Sequence, residues 1–323
     1  MFGSHLSIAG SMLNALREAQ ELGLDTVQVF TKNQQQWKAK PLDPALVSEW
    51  NAEIDRLGWR GRIVSHASYL INLASCSDEL FGKSVDLMTD ELERCEALGI
   101  AFLVHHPGSF VNWTLEEGLA RIAAAYKELF KRTAGFKTVA CLEGTVGAGS
   151  TIGGPFEHLA SLRERIGAAT GSPERIGFCL DTCHMHAFGY DMSTEESARA
   201  CLAEFDRVCG ERNLKVWHVN DSKGKLGSKL DRHEHIGEGW IGGGAAAHTG
   251  EGRFDAAKLR GSGFAFVVNH PAFAGVPKIM ETPKDDREQD DGTPLDAMNV
   301  ARLKSLMAPE GKPARRSGRK AAR

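Results

Sequence analysis

Residues 138–143 read TVACLE: a short apolar run, strand-forming in type, that stops on a carboxylate and is followed by Gly144. The same design recurs on both sides. RIVSH ends on His66 (62–66), FLVHH on His106 (102–106) and IGFCLD on Asp181 (176–181). Further out, 215–220 carries His218 near its end and 277–281 stops on Glu281. Two more runs, 2–7 and 27–31, precede these, which makes eight candidate strands. Amphipathic segments separate them, so the pattern is strand–helix alternation and predicts an α/β fold, a closed (β/α)8 barrel. In such a barrel the strand C-termini and the loops after them converge on one face, where active sites sit. Six consecutive strands therefore aim a metal-ligand side chain at one mouth.

The helices carry their own signals. Asp43-Pro44 supplies an N-cap and an N1 proline, with Val47, Trp50, Ile54 and Leu57 on one face and Gly58 after it. Phe81, Val85, Met88, Leu92 and Cys95 recur at helical spacing before Gly99. Thr114 with Glu117, and Ser193 with Glu196, have capping-box spacing. A last helix is predicted over about 295–306. Two regions break the rhythm. The Gly- and Ala-rich stretch 242–263 reads as an insertion-like loop with at most a short helix near 255–259. The end of the chain, 308–323, holds six basic residues and one acidic residue and reads as a disordered tail. The domain reading is thus one barrel over 1–307 plus that tail.

Composition sets bounds. The 323 residues, 42% hydrophobic and 25% charged, suit a single globular barrel with ample core. A net charge of −3 does not announce a nucleic-acid binder, so any such contact needs a local basic patch. Seven cysteines without a CxxC pair read as reduced, buried thiols of an intracellular protein. The start MFGSHLSIAG has neither the basic flank nor the apolar run of a signal peptide, and no stretch approaches a membrane span. No GxSxG or GxxxxGKS pattern supports a serine hydrolase or a P-loop enzyme.

Loops after the sixth and seventh strands add His184, three residues past Asp181, and the segment Asp231-Arg232-His233. With the six strand ends, His66, His106, Glu143, Asp181, His218 and Glu281, the set holds five His, two Asp and two Glu. A lone His or Glu at a strand end is usually a solvated or hydrogen-bonded polar residue; six in succession argue against coincidence. One ion takes about four ligands, so nine with bridging carboxylates suit two or three ions. Imidazole and carboxylate without thiolate favours Zn²⁺, with Mn²⁺ or Fe²⁺ compatible at some positions. Two other readings stand beside this one. A sugar isomerase or epimerase of similar barrel shape binds one divalent ion and leaves several of these residues unexplained. A lesion-binding protein with decayed chemistry keeps the shape without turnover.

At these residues the chain resembles the endonuclease IV family, the class II AP endonucleases. The matching stretches are FTKNQQQW (30–37), SHASYLINL (65–73), HHPGS (105–109), CLEGTVGAGS (141–150), CLDTCHMHAFGYD (179–191), VWHVNDSKGKLGSKLDRHEHIGEG (216–239) and KIMETPK (278–284), within a similarity running over about 2–306. The resemblance implies three zinc ions. His66, His106 and Glu143 match the ligands of the first, Glu143, Asp181, His218 and Glu281 those of the second, and His184, Asp231 and His233 those of the third. It implies hydrolysis of the phosphodiester 5′ to an abasic site in double-stranded DNA, leaving a 3′-hydroxyl and a 5′-deoxyribose phosphate, with repair of 3′-blocked ends as well. Glu143 is then the catalytic candidate, as the residue that positions the nucleophile. Tyr69 and Leu70 match wedge residues, with packing in the loop as the plainer reading. Lys32, Asn33, Lys223 and Arg232 lie in matching loops and are candidates for phosphate contacts, with a solvated surface role as the alternative, and Trp37 reads as packing. Gln35 stands where family enzymes often have Arg, which weakens the expected grip on the minor groove. Gly144, Ala148 and His186 also depart from the usual types, His186 being read as solvent-facing or behind the ligands. A monomer that works inside the cell, in the cytoplasm or nucleoid if bacterial, completes the expectation.

Overall fold

A computed structural model describes residues 1–243, 254–284 and 292–308. Eight parallel strands close into a barrel in the order β1 (Phe2–His5), β10 (Lys278–Met280), β7 (Leu214–His218), β6 (Ile176–Asp181), β5 (Val139–Glu143), β4 (Phe102–His105), β3 (Val64–His66) and β2 (Thr26–Val29). Between β7 and β10 the short antiparallel pair β8 (Asp221–Ser222) and β9 (His233–Glu234) forms a separate ribbon over the mouth. The expected strands are all present. Most are one or two residues shorter, so His106 and Glu281 lie one residue past β4 and β10.

Strand side chains alternate between two faces, and the ladder registers show which set faces inward. The pairs Gly3↔Thr26, Gln28↔Val64, His66↔Val104, Val104↔Cys141, Glu143↔Cys179, Asp181↔His218, Ile279↔His218 and Gly3↔Ile279 link one parity around the whole barrel. Val64, Val104, Cys141, Cys179, Val216 and Ile279 form a fully buried inner cluster of their own. Two residues further along each of those six strands comes an expected ligand. β1 contributes no bulk to the inner cluster, because a Cβ on Gly3 would come within 2.8 Å of Ile279 and Thr26. The opposite parity, including Ile63, Leu103, Leu142, Phe178 and Trp217, packs outward on the helices in the main core.

Those helices are α1 (Met12–Glu21), α2 (Pro44–Arg56), α3 (Asp78–Ala97), α4 (Leu115–Arg132), α5 (Phe156–Thr170), α6 (Thr182–Phe188), α7 (Glu195–Cys209), α8 (Ala256–Arg260), α9 (Gly263–Asn269) and α10 (Leu295–Lys304). Asp43 caps α2 with Pro44 at N1, and Thr114 with Glu117 forms the expected capping box of α4. The second box is displaced by one residue: Thr194 and Ser197 cap α7, because the amide of Ser193 already donates to the Asp191 carboxylate. Of the Gly-rich stretch, 244–253 lies outside the described residues, and 256–260 and 263–269 are helical. The tail reading falls outside the described residues beyond Ala308. All seven cysteines are free; five are buried, whereas Cys76 and Cys201 are partly exposed. No helix among the described residues is long and apolar enough to cross a membrane.

Candidate metal centre

The inward strand ends assemble around Glu143, which is 1% exposed. Its Oε2 lies 3.2 Å from Nε2 of both His66 and His106, and its Oε1 lies 2.9 Å from His218 Nδ1 and 3.5 Å from His184 Nδ1. His218 Nδ1 also faces Glu281 Oε2 at 3.2 Å and Asp181 Oδ2 at 3.9 Å. Asp181 is both the last residue of β6 and the N-cap of α6, where its Oδ1 accepts from the His184 amide at 2.9 Å. That cap sets His184 in the first turn, beside the mouth. Asp231 and His233 arrive on the β8–β9 ribbon: Asp231 Oδ1 is 3.3 Å from His184 Nε2 and 3.5 Å from His233 Nε2, which itself lies 3.6 Å from Asp181 Oδ2. All nine sequence candidates therefore meet. Eight of them form three groups of ligand atoms, His66–His106–Glu143, Glu143–Asp181–His218–Glu281 and Asp181–His184–His233; Asp231 lies beside the last, and a fourth group, Glu143–Cys179–His218, brings in the buried thiol of Cys179. Among the first three groups, Glu143 and Asp181 are each shared by two.

The hydrogen bonds behind these side chains decide what the groups can hold. A carbonyl oxygen only accepts, so each imidazole nitrogen bonded to one carries the proton. His66 Nδ1–H donates to Ala67 O at 2.7 Å, His184 Nδ1–H to Gly144 O at 2.8 Å, and His233 Nδ1–H to Glu281 O at 3.0 Å. In each ring the other nitrogen is then a bare lone pair aimed at carboxylate oxygens. Lone pair against lone pair is repulsive unless a proton or a metal ion lies between them. His233 Nε2 has no hydrogen-bond partner although it is buried. Outer N–H to a carbonyl with the inner nitrogen turned to a carboxylate cluster is the arrangement of metal-bound histidine.

The electrostatics agree. Burial alone would lower the pKa of His66, His184 and His218, but the carboxylates more than offset it. His66 is raised by the hydrogen bond and charge of Glu143, and His184 well raised by Asp181 and Asp231. His218 is pushed up to about 9 by Glu281 and Glu143. Burial acts against the charges of Glu143 and Glu281 too, yet the histidines hold both carboxyls well below the usual range. The site draws positive charge.

Several supporting residues were not anticipated. Asp221, fully buried, accepts backbone N–H groups from Ser222, Gly237, Ile241 and Gly242 at 2.8–3.1 Å and so ties the β8–β9 ribbon to 237–242. Burial pushes its carboxyl up to about 6, against these bonds. Asn220 joins the clusters: its Nδ2 donates to Asp181 at 2.6 Å and its Oδ1 accepts from the Glu281 amide at 2.7 Å. His105 donates to His106 O and accepts from Tyr126 Oη at 2.6 Å; burial takes it down to about 4, so it stays neutral. Gln28 and His5 end the inward set on β2 and β1. Only Gln28 gave a signal, as a polar residue inside the apolar run TVQV.

The rim residues divide. Tyr69 is 59% exposed, with its ring 5.0 Å from that of His66, over a cavity of about 280 Å³ lined by His66, His106, Ser109, His184 and Asp231. Leu70 is half-buried and packs against the core. Asn33, Gln35, Lys223 and Arg232 are exposed, the Asn33 side chain accepting from the Gln35 amide and Arg232 donating to Asp231 O. Lys32 corrects its expectation: it is buried and bonds Asp90 at 2.5 Å with Glu91 at 3.5 Å, so its charge is spent inside the protein. Trp37 sits at the edge of exposure. His186 is buried, not solvent-facing; its Nδ1 accepts from the Met192 amide at 3.5 Å.

Residues 16–249 match the family model of the xylose isomerase-like TIM barrel. The "Probable endonuclease 4" of Chloroflexus aurantiacus is 42% identical over 306 residues, covering 95% of this chain and 98% of that protein. The protein of the same name from a Geobacter species is 38% identical, covering 95% and 99%. The crystal structure of endonuclease IV from Thermus thermophilus superposes with a TM-score of 0.75 at 34% identity, over 94% of this chain and 98% of that one. A D-tagatose 3-epimerase-like protein shares the barrel at a TM-score of 0.64, but at 17% identity that likeness is one of fold alone. By its barrel and its relatives the chain belongs to the endonuclease IV family.

Proposed function

We propose that this protein incises duplex DNA on the 5′ side of abasic sites in base excision repair, leaving a 3′-hydroxyl and a 5′-deoxyribose phosphate, and also trims 3′-blocked ends. The enzyme is a metal-dependent AP endonuclease, a hydrolase acting on DNA. The nine ligand-type side chains are read as holding three zinc ions, with Mn²⁺ or Fe²⁺ compatible at some positions. The observation that carries this is the set of histidines whose outer N–H is taken by a carbonyl while the inner nitrogen faces carboxylates. Divalent ions there supply charge to the phosphate and to the attacking and leaving oxygens.

The chain's own residues do the rest. Glu143, shared by the first and second groups, is placed to hold the attacking water between them. Asp181 is shared by the second and third groups. Tyr69, exposed over the cavity, and Leu70 beside it serve as the wedge that holds an extruded abasic sugar, whose lack of a base makes extrusion cheap. Asn33, Gln35, Lys223 and Arg232 offer exposed polar or cationic groups to the backbone. The protein is read as acting inside the cell, as a monomer. The single-ion epimerase reading leaves His184, Asp231 and His233 without a purpose.

The test is incision of a duplex carrying one tetrahydrofuran abasic analogue, which blocks β-elimination. Zinc-loaded wild type is expected to cut 5′ to the analogue, and Glu143→Ala to lose at least about a hundredfold, about 2.7 kcal/mol of barrier. No cutting by the loaded wild type sinks the proposal.

A further inference from the structure

Eight inward strand ends ring the centre, and six carry expected ligands. The other two are Gln28 on β2, whose amide is not a metal-ligand type of the cluster, and His5 on β1, which belongs to none of its groups. We propose that Gln28, backed by His5, is a positioning residue that selects which nitrogen of His218 and which oxygen of Glu281 face the metal centre. The inference rests on the metal reading above and adds a residue to it.

The hydrogen bonds leave one assignment. Gln28 is fully buried, and its Nε2 lies 2.6 Å from Glu281 Oε1 and 2.9 Å from His5 Nδ1. An ionised carboxylate only accepts, so the amide must turn its NH₂ to Glu281 and to His5. Its Oε1 then faces His218 Nε2 at 2.9 Å and can only accept. His218 therefore carries its proton on Nε2. Its Nδ1 is bare and points at Glu143, Glu281 and Asp181. The same amide occupies Oε1 of Glu281 and leaves Oε2 as the oxygen on the His218 side. His5 completes the arrangement: its Nδ1 lies 2.9 Å from the amide nitrogen and 3.4 Å from Glu281 Oε1, and since the NH₂ only donates, the nearer contact makes Nδ1 the acceptor of the second amide N–H; its ring packs 4.4 Å from that of Phe30. One side chain thus fixes the tautomer of one ligand and the rotation of another. The histidines His66, His184 and His233 use main-chain carbonyls for that task, which no substitution removes. At His218 it depends on a side chain, so it can be tested.

Outer residues of this kind typically change metal affinity by about 10–100-fold when lost. The experiment uses the full chain stripped of metal: wild type, Gln28→Met and Gln28→Glu. Zinc is titrated against a chromophoric chelator, and circular dichroism and thermal melts of the metal-free proteins confirm folding. In Gln28→Met, one class of zinc site is expected to weaken by about 10–100-fold while the others keep wild-type affinity. Gln28→Glu restores an acceptor for His218 but sets a carboxylate against Glu281, and is expected to weaken the same class. Should the Met variant not fold, the Glu variant carries the test. Unchanged affinity in a folded variant overturns the proposal, and so does equal weakening of every class, which indicates general loosening. A wild type that takes up no zinc overturns the metal reading itself, and this inference with it.

Discussion

Glu143→Gln separates a shared ligand from an ordinary one. The substitution keeps size and shape, removes one negative charge and replaces one oxygen by an NH₂ that cannot ligate. Glu143 is the member common to the His66–His106 group and the Asp181–His218–Glu281 group. Its two oxygens serve different neighbours: Oε2 the pair at 3.2 Å, Oε1 the His218 nitrogen at 2.9 Å. Whichever way the amide turns, one group loses its oxygen and the other keeps only a neutral carbonyl. With the carbonyl kept toward His218, the first group has two histidines left. Loss of an outer residue already costs up to about a hundredfold in affinity, so loss of a direct ligand costs at least that, roughly 2.7 kcal/mol. The second group retains Asp181, His218 and Glu281 and weakens less, by about tenfold. The third retains His184, Asp231, His233 and Asp181 and should be unaffected. After dialysis against a zinc buffer poised near the weakest wild-type affinity, elemental analysis is expected to show about one ion fewer than wild type. Single-turnover incision should fall at least about a hundredfold. Full zinc content at wild-type affinity would show that Glu143 is not a shared ligand; loss of all zinc would show that the third group does not stand alone.

Three further outcomes follow from the same geometry. In metal-free protein, protons stand in for the missing cations. His218, raised to about 9 from 6.5, contributes stability that is complete below about 6.5 and lost as pH rises through 9, at most on the order of 3 kcal/mol; urea melts should show the metal-free form weaker at pH 9 than at pH 6.5. Zinc competes with those protons, so zinc affinity should rise over the same interval, and a falling affinity would contradict the tautomer argument. Tyr69→Ala removes a side chain that is 59% exposed, so the thermal midpoint should hold while affinity for an abasic duplex drops by about tenfold or more; a lower midpoint with unchanged affinity would mean packing instead. Lys32→Ala leaves Glu91 buried without its cation and should cost roughly 3 kcal/mol in a chemical melt, with no change in the salt dependence of DNA binding; a phosphate contact would instead lower that slope by about one.

The barrel and most of the centre were legible because a parallel barrel converts a short motif into a ring. Each strand writes its inward parity into sequence as an apolar residue, a gap and a ligand: Val64 and His66, Cys141 and Glu143, Cys179 and Asp181, Val216 and His218. That period-two signal survives without knowledge of the register, since closure alone brings the ends together. What failed to register has physical reasons. Loop position marks His184, Asp231 and His233 as candidates, but their grouping depends on a helix cap and a two-stranded ribbon, so only the family resemblance assigned them to one ion, and nothing local marked Asp221 as the anchor of that ribbon. Lys32 looks like any loop cation until Asp90 and Glu91, from α3, are seen beside it. Gln28 is the instructive case. In TVQV its amide reads as a flaw in a buried strand, and the cost of burying it makes sense only when all three of its hydrogen-bonding contacts are present at once. A buried polar residue at inward parity, on the strand next to a run of ligands, is therefore better read as part of the site than as an imperfection of the core, and metal titration of the Gln28 variants decides whether that rule holds here.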